Sequence, residues 1–205
     1  MSEDLTPATV SMFDPWEGKN YWTSGVPRTL ILGESHYDKS NIPPKYDVRK
    51  KTIYCIEDQI SHNCPYRFFT KLVSCFIGHR PALAEKQEFW HSVAYHNLIT
   101  TLLPRPRCAP SASQWQDSLP TLPLVIERLK PDYVVVLGFR MWGHVAALTG
   151  MRDISDIKDV GRCGVRAYGD CVFHGIMHPS GRGFRLAEWR VFIASAKKQL
   201  WPNSK

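Results

Sequence analysis

Short, continuous apolar runs alternate along the chain with longer amphipathic stretches. Two of the runs end in glycine, Arg28-Thr-Leu-Ile-Leu-Gly33 and Lys130-Pro-Asp-Tyr-Val-Val-Val-Leu-Gly138, and both predict buried strands. Segments 92–99, 163–168 and 171–177 are predicted as further strands. Continuous apolar strands are typical of parallel sheets that are covered on both faces.

The amphipathic stretches between the strands have apolar residues at helical spacing. They predict helices over 47–60, 65–77, 82–89, 113–129, 139–148 and 185–200. We therefore predict an α/β fold, a single three-layer α/β/α domain over residues 28–205 with a mainly parallel sheet of about four strands. Residues 1–27, rich in aromatic residues, Pro and Gly, are predicted to form an irregular N-terminal arm.

The composition is that of an ordinary globular protein and changes this picture little. Of the 205 residues, 43% are hydrophobic and 22% are charged, which excludes collagen, a coiled coil and wholesale disorder. No apolar run approaches the roughly 18 residues of a membrane span, and the first ten residues lack the apolar core of a secretory signal. We expect a cytoplasmic monomer with no membrane partner.

The excess of basic residues indicates a class of binding partner. Lys and Arg number 26 against 19 Asp and Glu, the pI is about 9.2, and residues 178–205 hold six basic side chains against one acidic. A basic end of this kind suits a polyanionic partner such as a nucleic acid. Many basic proteins bind no nucleic acid, so charge alone does not identify the ligand.

The six cysteines form no Cys-x-x-Cys pair. Two groupings have metal-ligand chemistry, Cys55 with His62 and Cys64, and Cys163 with Cys171. The alternative is a set of separate, reduced and mostly buried thiols. Because the usual zinc-site spacings are absent, we expect no bound metal.

Polar clusters follow three of the predicted strands, where ligands of parallel sheets collect. The clusters are Gly33-Glu-Ser-His-Tyr-Asp38, Tyr95-His-Asn97 and His178-Pro-Ser-Gly-Arg-Gly183. A sheet that brings them together gathers carboxylates, an amide, imidazoles and an aromatic ring into one cleft. That set fits hydrolytic or lyase chemistry that needs no cofactor.

In their order along the chain, these motifs resemble those of the uracil-DNA glycosylase superfamily. The resemblance covers about residues 28–200, and its closest matches are the Pro-Asp-x-Val-Val-x-Leu-Gly strand and the His-Pro-Ser end at 178–180. Many members carry Gly-Gln-Asp-Pro-Tyr-His as their first motif, while other branches begin Gly-Glu. The resemblance implies a uracil-DNA glycosylase-like fold that binds DNA and flips a base out of the stack.

Matched onto the first motif, Gly33 takes the Gly position and Glu34 the Gln position. Tyr37 takes the position of the Tyr that bars a thymine methyl. Ser35 falls where the family has the Asp that activates the attacking water. This departure argues against strong general-base catalysis, and it leaves Glu34 or Asp38 as candidates for positioning water.

The resemblance extends these roles to the other motifs. The family Asn that hydrogen-bonds the flipped base matches Asn97, and the family His that stabilises the oxygen of the departing base matches His178. The candidate catalytic residues are Glu34, Asp38 and His178. The candidate base-binding residues are Gly33, Ser35, His36, Tyr37 and Asn97. The candidate DNA contacts are Ser180, Arg182 and Arg185.

Two family features are missing. In the best-known branch, His-Pro-Ser is followed by Pro-Leu, whose Leu fills the hole left by the flipped base; here Gly181-Arg182 follows, so the wedge is absent or replaced by Arg182. The Cys-x-x-Cys of a thermophilic iron–sulfur branch is also absent, and we expect no cluster and no other cofactor.

The resemblance thus implies a DNA-repair hydrolase that cleaves the N-glycosidic bond of uracil or another deaminated base. Two alternatives remain open. One is a catalytically weak or inactive protein of the same fold that binds nucleic acid or a modified nucleotide. The other is a hydrolase of free nucleosides. A simple interaction protein explains the charge but not the polar strand ends.

Overall fold

The chain folds into a mixed α/β structure around one sheet. The computed structural model describes residues 13–23, 25–37, 47–61 and 67–203. The strands are β1 Trp16–Glu17, β2 Thr29–Gly33, β3 Ala94–Asn97, β4 Tyr133–Leu137, β5 Arg152–Asp153, β6 Val165–Tyr168 and β7 Cys171–Ile176. The helices are α1 Lys51–Ser61, α2 Arg67–Ile77, α3 Leu83–Ser92, α4 Ala112–Ser118, α5 Leu122–Leu129, α6 Phe139–Val145 and α7 Leu186–Leu200.

Four parallel strands form the centre of the sheet, in the order β3-β2-β4-β7. The two glycine-ended apolar runs are β2 and β4, which lie side by side and are buried along their whole length. The mainly parallel α/β character predicted from these runs is therefore confirmed. Because β2 and β4 face helices on both sides, neither has a polar face, and this accounts for their continuous hydrophobic pattern.

The predicted number of strands, about four, is wrong, because the sheet formed by the described residues has seven. Three strands pair in antiparallel fashion at the two edges, β1 against β3 on one side and β6 and β5 beyond β7 on the other. Of these three, β6 lies in the segment 163–168 that the sequence predicts as a strand, whereas β1 and β5 were not predicted. Strands β1 and β5 are two residues long. A two-residue strand carries no hydrophobic periodicity, so no pattern in the sequence signals it.

Helices cover both faces of the sheet. Leu30 and Leu32 of β2 pack with residues of α4, α5 and α6, whereas Ile31, between them, packs with α1, α2, α3 and α7. This alternation follows from the two-residue period of a strand. Among the helices of the described ranges, none combines the length and the apolar character needed to cross a membrane.

The described part of the N-terminal segment packs into the core. Trp16 donates its indole N–H to the carbonyl of Trp90 at 2.7 Å, and the buried Tyr21 donates its hydroxyl to the carbonyl of Leu129 at 3.0 Å. These bonds satisfy the polar atoms of two large side chains inside the core. They attach the segment to α3 and α5.

The parallel strands bring three polar clusters to one edge of the sheet. Gly33 of β2 is in register with Asn97 of β3, and Leu137 of β4 is in register with Ile176 of β7. The residues that follow these positions leave the sheet on the same side. The cluster at Glu34, the end of β3 and the His178 turn therefore share one edge, as the sequence predicts.

Candidate functional site

A cleft of about 970 Å³ opens at this edge of the sheet. Most of the residues predicted to form the site line it: Gly33, Glu34, Ser35, His36, Tyr37, Asn97, His178 and Ser180. Arg182 and Arg185 are exposed and do not line the cleft. Asp38 lies outside the described residues. The convergence of three separate strand ends on one cleft is the main feature of this region.

His178 stands on the turn that follows β7. Its Nδ1 accepts the backbone N–H of Ser180 at 3.2 Å, and its ring stacks on Phe68 of α2, with centroids 4.9 Å apart and planes inclined by 15°. Burial lowers the pKa of His178; Glu34 acts to raise it and Arg140 acts to lower it. The ring is therefore neutral at pH 7, and because Nδ1 is an acceptor, the proton lies on Nε2. Nε2–H is a hydrogen-bond donor.

Gly138 has a backbone conformation that favours glycine. Its φ angle of +110° is one that other residues rarely adopt, whereas a Cβ atom there would make only an ordinary contact with His178 at 3.5 Å. The strand-ending glycine predicted from the sequence is therefore needed for the turn from β4 into α6.

Glu34 is paired with Arg140, in the first turn of α6. The Arg140 Nε donates to one carboxylate oxygen at 2.8 Å, and a terminal nitrogen donates to the other at 2.5 Å. The Glu34 side chain is 14% exposed and that of Arg140 is 50% exposed. A two-point contact of this kind fixes the orientation of the carboxylate. Glu34 thus places a carboxylate of fixed orientation in the wall of the cleft.

Asn97, the last residue of β3, is buried against the end of β2. Its Oδ1 accepts the hydroxyl of Tyr95 at 3.1 Å, and its Nδ2 lies 3.1–3.2 Å from the two ring nitrogens of His36. A Cβ atom at Gly33 would lie 2.0 Å from Asn97 Oδ1. Glycine at position 33 is required by this close approach.

His36 is a buried residue of the first cluster, and Ser35 is half-buried. The Nε2 of His36 lies 2.8 Å from the hydroxyl of Thr52, and burial, with a contribution from Lys51, lowers the pKa of His36 to about 3. His36 is therefore neutral at physiological pH. The Ser35 Oγ is buried and has no hydrogen-bond partner in the part of the chain that the structure describes.

Tyr95 and Gly181, which belong to the polar clusters named from the sequence, also line the cleft. The remaining lining residues were not predicted from the sequence: Lys51, Tyr54, Cys55, Asp58, Phe68, Phe69, Pro106, Arg107, Leu137, Gly138, Phe139 and Arg140. A sequence signal for Arg140 existed, because this residue lies two positions after the glycine that ends a parallel strand, where ligand-binding residues collect. No sequence signal marked Phe68, since it lies within a helix and reaches His178 only through the packing of that helix.

Two other buried histidines lie away from the cleft. His174 accepts the Tyr133 hydroxyl on Nδ1 at 2.6 Å and donates from Nε2 to the Val160 carbonyl at 2.6 Å, so it links β4 and β7 to a loop. His96 is buried on β3, and neither of its ring nitrogens has a partner among the described residues. Both are parts of the core.

No cluster of three or more His, Cys, Asp or Glu side chains suitable for a metal ion occurs within residues 13–23, 25–37, 47–61 and 67–203. Of the candidate metal ligands, Cys163 is half-buried and Cys171 is buried. His62 and Cys64 lie outside the described residues.

Comparison of the sequence with models of known protein families and with curated proteins gives no match. The cleft offers a neutral imidazole donor, a buried amide, a carboxylate held by an arginine, and aromatic walls.

Proposed function

We propose that the protein is a DNA-base glycosylase that hydrolyses the N-glycosidic bond of uracil or another deaminated base. The observation that carries the proposal is the meeting of Glu34, Asn97 and His178 in one cleft at the carboxyl edge of the parallel sheet. The volume of about 970 Å³ is ample for one nucleotide, and aromatic rings form part of the wall.

Binding of the base begins with its extrusion from the duplex, which costs a few kcal/mol, or with a single strand, where that cost is avoided. The Asn97 amide offers a hydrogen-bond donor and an acceptor to a heterocycle edge. Tyr37 and Tyr54 in the cleft wall supply aromatic surface against which a planar ring can pack.

Cleavage of the glycosidic bond develops positive charge on the sugar and negative charge on the departing base. The Nε2–H of His178 is suited to donate to an oxygen of that base, since the ring is neutral and its other nitrogen is occupied by Ser180. Removing one preorganised donor of this kind typically costs about 3 kcal/mol of barrier. The Phe68 stack restricts rotation of the imidazole before the substrate arrives.

The carboxylate of Glu34 is the negative group that faces the sugar in this proposal. Held by Arg140, it can orient a water molecule and stabilise the cationic sugar through its field. Both carboxylate oxygens of Glu34 accept from Arg140, so fewer of their lone pairs are free to take a proton from water. Hydrolysis then depends on stabilisation of the two charges more than on a strong base.

The exposed arginines beyond the cleft are the proposed phosphate contacts. Arg182 directly follows Gly181, which lines the cleft, and Arg185 lies three residues further along the chain, where it pairs with Glu188 at 3.2 Å. Contacts of this kind bind any sequence and weaken as salt rises, because they release condensed counterions. Loss of one arginine therefore weakens affinity and reduces its salt dependence.

A second candidate function is binding of nucleic acid or a modified nucleotide without cleavage. It is favoured by the two-point hold of Arg140 on Glu34 and by the buried hydroxyl of Ser35 at the position of the family's catalytic Asp. In that case the same cleft recognises the base but leaves the glycosidic bond intact.

The deciding experiment uses purified full-length protein and oligonucleotides that carry uracil, hypoxanthine or xanthine, single and double stranded. Alkali-labile abasic sites report cleavage, and fluorescence anisotropy at several salt concentrations reports binding. Cleavage of at least one substrate that is abolished in His178→Ala supports the glycosylase. Tight, salt-sensitive binding with unchanged substrate at stoichiometric protein supports the second candidate. Turnover of free nucleosides but of no oligonucleotide contradicts both.

A further inference from the structure

The residues from His178 to Gly181 form a β-turn after β7. The Gly181 N–H donates to the His178 carbonyl at 2.7 Å, which closes the turn. Proline at the second position is typical of type I and type II turns, and the negative φ angle of Ser180 excludes type II, which needs a positive φ at the third position. The two types differ in the orientation of their central peptide group, here the one that joins Pro179 to Ser180. The turn therefore has one defined orientation of this peptide.

This central peptide lies between His178 and a lysine of α2. Its N–H, on Ser180, donates to Nδ1 of His178 at 3.2 Å, and its carbonyl, on Pro179, accepts the ammonium of Lys71 at 3.3 Å. Because the peptide is planar and trans, the C=O and the N–H point in opposite directions. A backbone N–H and an ammonium group can only donate, so the direction of both hydrogen bonds follows from the donors themselves.

The same face of α2 contacts the turn at three points. The Lys71 Nζ, besides its bond to the turn peptide, lies 5.8 Å from the centroid of the Phe184 ring. Phe68, three residues before Lys71, stacks on the imidazole of His178 with centroids 4.9 Å apart. Residues three apart lie on one face of a helix. One helix therefore supports both the imidazole and the peptide that is hydrogen-bonded to it.

Rotation of the turn peptide would change the protonation of the imidazole. It would carry the Ser180 N–H away from Nδ1 of His178 and bring the Pro179 carbonyl toward the ring. A neutral imidazole whose Nδ1 accepts no proton can carry its own proton on either nitrogen. The observed orientation, in which Nδ1 must accept, leaves the proton on Nε2.

Lys71 opposes this rotation. A Pro179 carbonyl that turns away loses a hydrogen bond from a charged donor, and such bonds are stronger than those between neutral groups. The ammonium also polarises the peptide group, which makes the Ser180 N–H a better donor to Nδ1 of His178. Both effects stabilise the same arrangement of the turn.

We infer that Lys71 is a positioning residue for His178: through the peptide between Pro179 and Ser180, it keeps the imidazole proton on Nε2, the nitrogen that donates in the proposed mechanism. The inference rests on the donor role proposed for His178, but the protonation that it describes exists without substrate. Lys71 lies 108 positions before Pro179 in the sequence and belongs to none of the polar clusters named there.

The test compares two substitutions of this lysine. Lys71→Met removes the ammonium group and keeps an unbranched stem beside Phe184. Lys71→Arg keeps the positive charge and the ability to donate. A role that depends on the donated hydrogen bond is lost in the first variant and retained in the second.

Lys197→Met is the matched control. Lys197, on α7, is also a half-buried lysine, and its Nζ lies 6.0 Å from the centroid of an aromatic ring, that of Phe76. Phe76 is eight residues further along α2 than Phe68, the residue that stacks on His178. The control thus removes an ammonium group from an aromatic ring of the same helix without touching the turn peptide. Thermal melts establish that every variant is folded.

The primary measurement is the tautomer of His178 in the absence of substrate. Long-range ¹H–¹⁵N correlation spectra of protein labelled with ¹⁵N-histidine, recorded at pH 7.5, distinguish a protonated ring nitrogen from an unprotonated one. The chain has eight histidines, and the His178 signals are identified by their loss in His178→Ala. Single-turnover rates and fluorescence anisotropy with oligonucleotides then separate the rate of cleavage from binding.

We expect the wild type, Lys71→Arg and Lys197→Met to hold His178 in the Nε2–H form. In Lys71→Met the two neutral forms should become comparably populated. The single-turnover rate of this variant should fall by about three- to tenfold, less than in His178→Ala because the ring is still present, while the dissociation constant for DNA stays within about twofold. If Lys71→Met fails to fold, Lys71→Leu takes its place with the same expectation.

Two results overturn the inference. One is a wild type in which His178 is not in the Nε2–H form. The other is a folded Lys71→Met variant that keeps this form, because a loss of stability alone would mean that Lys71 only ties α2 to the turn. A tautomer that changes equally in Lys197→Met counts against the inference in the same way.

Failure of the proposed hydrolysis has a different signature. In that case the wild type leaves every oligonucleotide uncut, while the Nε2–H form of His178 and its dependence on Lys71 persist in the NMR spectra. The positioning role of Lys71 is then supported and the cleavage reaction is not.

Discussion

Arg140 holds both carboxylate oxygens of Glu34, and the pair stands beside His178 in the wall of the cleft. The two residues are 106 positions apart in the sequence. Glu34 and Arg140 act on the pKa of His178 in opposite directions, so the protonation of the proposed donor depends on both. Burial is the largest cause of the lowered pKa of His178, and Arg140 offsets the opposite effect of Glu34.

The first prediction concerns the titration of His178. Removing the cation in Arg140→Gln should raise the pKa of His178, because a repelling charge is lost and the field of Glu34 is no longer balanced. Glu34→Gln should lower it. The measurement is an NMR titration of the His178 ring, which needs no substrate. Lys198→Gln, which removes an exposed cation on α7, is the control and should leave the titration unchanged.

The opposing effects of Glu34 and Arg140 on the pKa of His178 also predict how turnover depends on pH. The neutral ring is the proposed donor, and burial lowers its pKa, so activity should persist below pH 6.5, the ordinary value for histidine, and fall only at more acidic pH. In Arg140→Gln the acid limb should move to higher pH. If the acid limb of the pH–rate profile stays in place while the pKa measured by NMR shifts, protonation of His178 does not control the rate-limiting step.

The second prediction tests the donor directly. His178→Ala should reduce turnover about a hundredfold, the usual effect of losing a preorganised donor to a developing anion. DNA affinity should change little, because the proposed phosphate contacts lie elsewhere. Arg182→Ala should do the reverse and mainly raise the dissociation constant and lower its salt dependence. Single-turnover rates and anisotropy measure the two effects, and equal turnover in His178→Ala contradicts the mechanism.

The third prediction concerns the ring that stacks on His178. Phe68→Leu keeps most of the apolar volume but removes the flat face, so turnover should fall about two- to tenfold, in line with the roughly 0.5–1.5 kcal/mol of an aromatic pair. Phe76→Leu, on the same helix and packed against Phe89, is the matched control. Both variants lose some stability; the claim fails if their turnover falls equally.

The fourth prediction links acid stability to His96. Burial lowers the pKa of His96 to about 4, so between pH 6.5 and 4 the unfolded chain binds a proton that the folded chain does not. Stability therefore falls as pH decreases through this window, by about 1.4 kcal/mol per pH unit for each such histidine. His96→Leu should reduce that slope, as measured by urea unfolding at pH 7 and pH 5.

His174→Leu offers the contrast. Burial also lowers the pKa of His174 to about 4, so this variant should lose a similar part of the acid sensitivity. At pH 7 the two variants should differ. His174→Leu leaves the Tyr133 hydroxyl and the Val160 carbonyl without their bonds and costs stability, about 1–3 kcal/mol for each group left buried and unpaired. His96→Leu breaks no bond among the described residues.

The fifth prediction compares two glycines. Gly33→Ala places a methyl group 2.0 Å from Asn97 Oδ1 and 2.6 Å from the Tyr95 hydroxyl, so the amide must move. We expect a loss of about 1–3 kcal/mol of stability, typical of overpacking, and weaker binding of base probes. Gly143→Ala, inside α6 with no atom within 4 Å of the new methyl group, should stabilise by about 0.5–1 kcal/mol. The free energies of unfolding of both variants, measured by chemical denaturation, test this prediction.

Local patterns in the sequence determined the central elements and the position of the cleft. The apolar runs ending at Gly33 and Gly138 are the two middle strands, and the polar residues after them line one cleft because parallel strands leave a sheet at a common edge. Burial on both faces dictates continuous hydrophobicity, and this signal is contained within each segment. His178 and Asn97 were accessible to prediction for the same reason.

Only the tertiary structure decided which side chains meet. The hold of Arg140 on Glu34, the stack of Phe68 on His178 and the contact of Thr52 with His36 each join separate elements. Whether these contacts form depends on how each helix is rotated about its axis and shifted along the sheet. The hydrophobic pattern of a helix determines only which of its faces packs on the sheet. The short edge strands escaped prediction because two residues are stabilised by their partner strand and not by a pattern of their own.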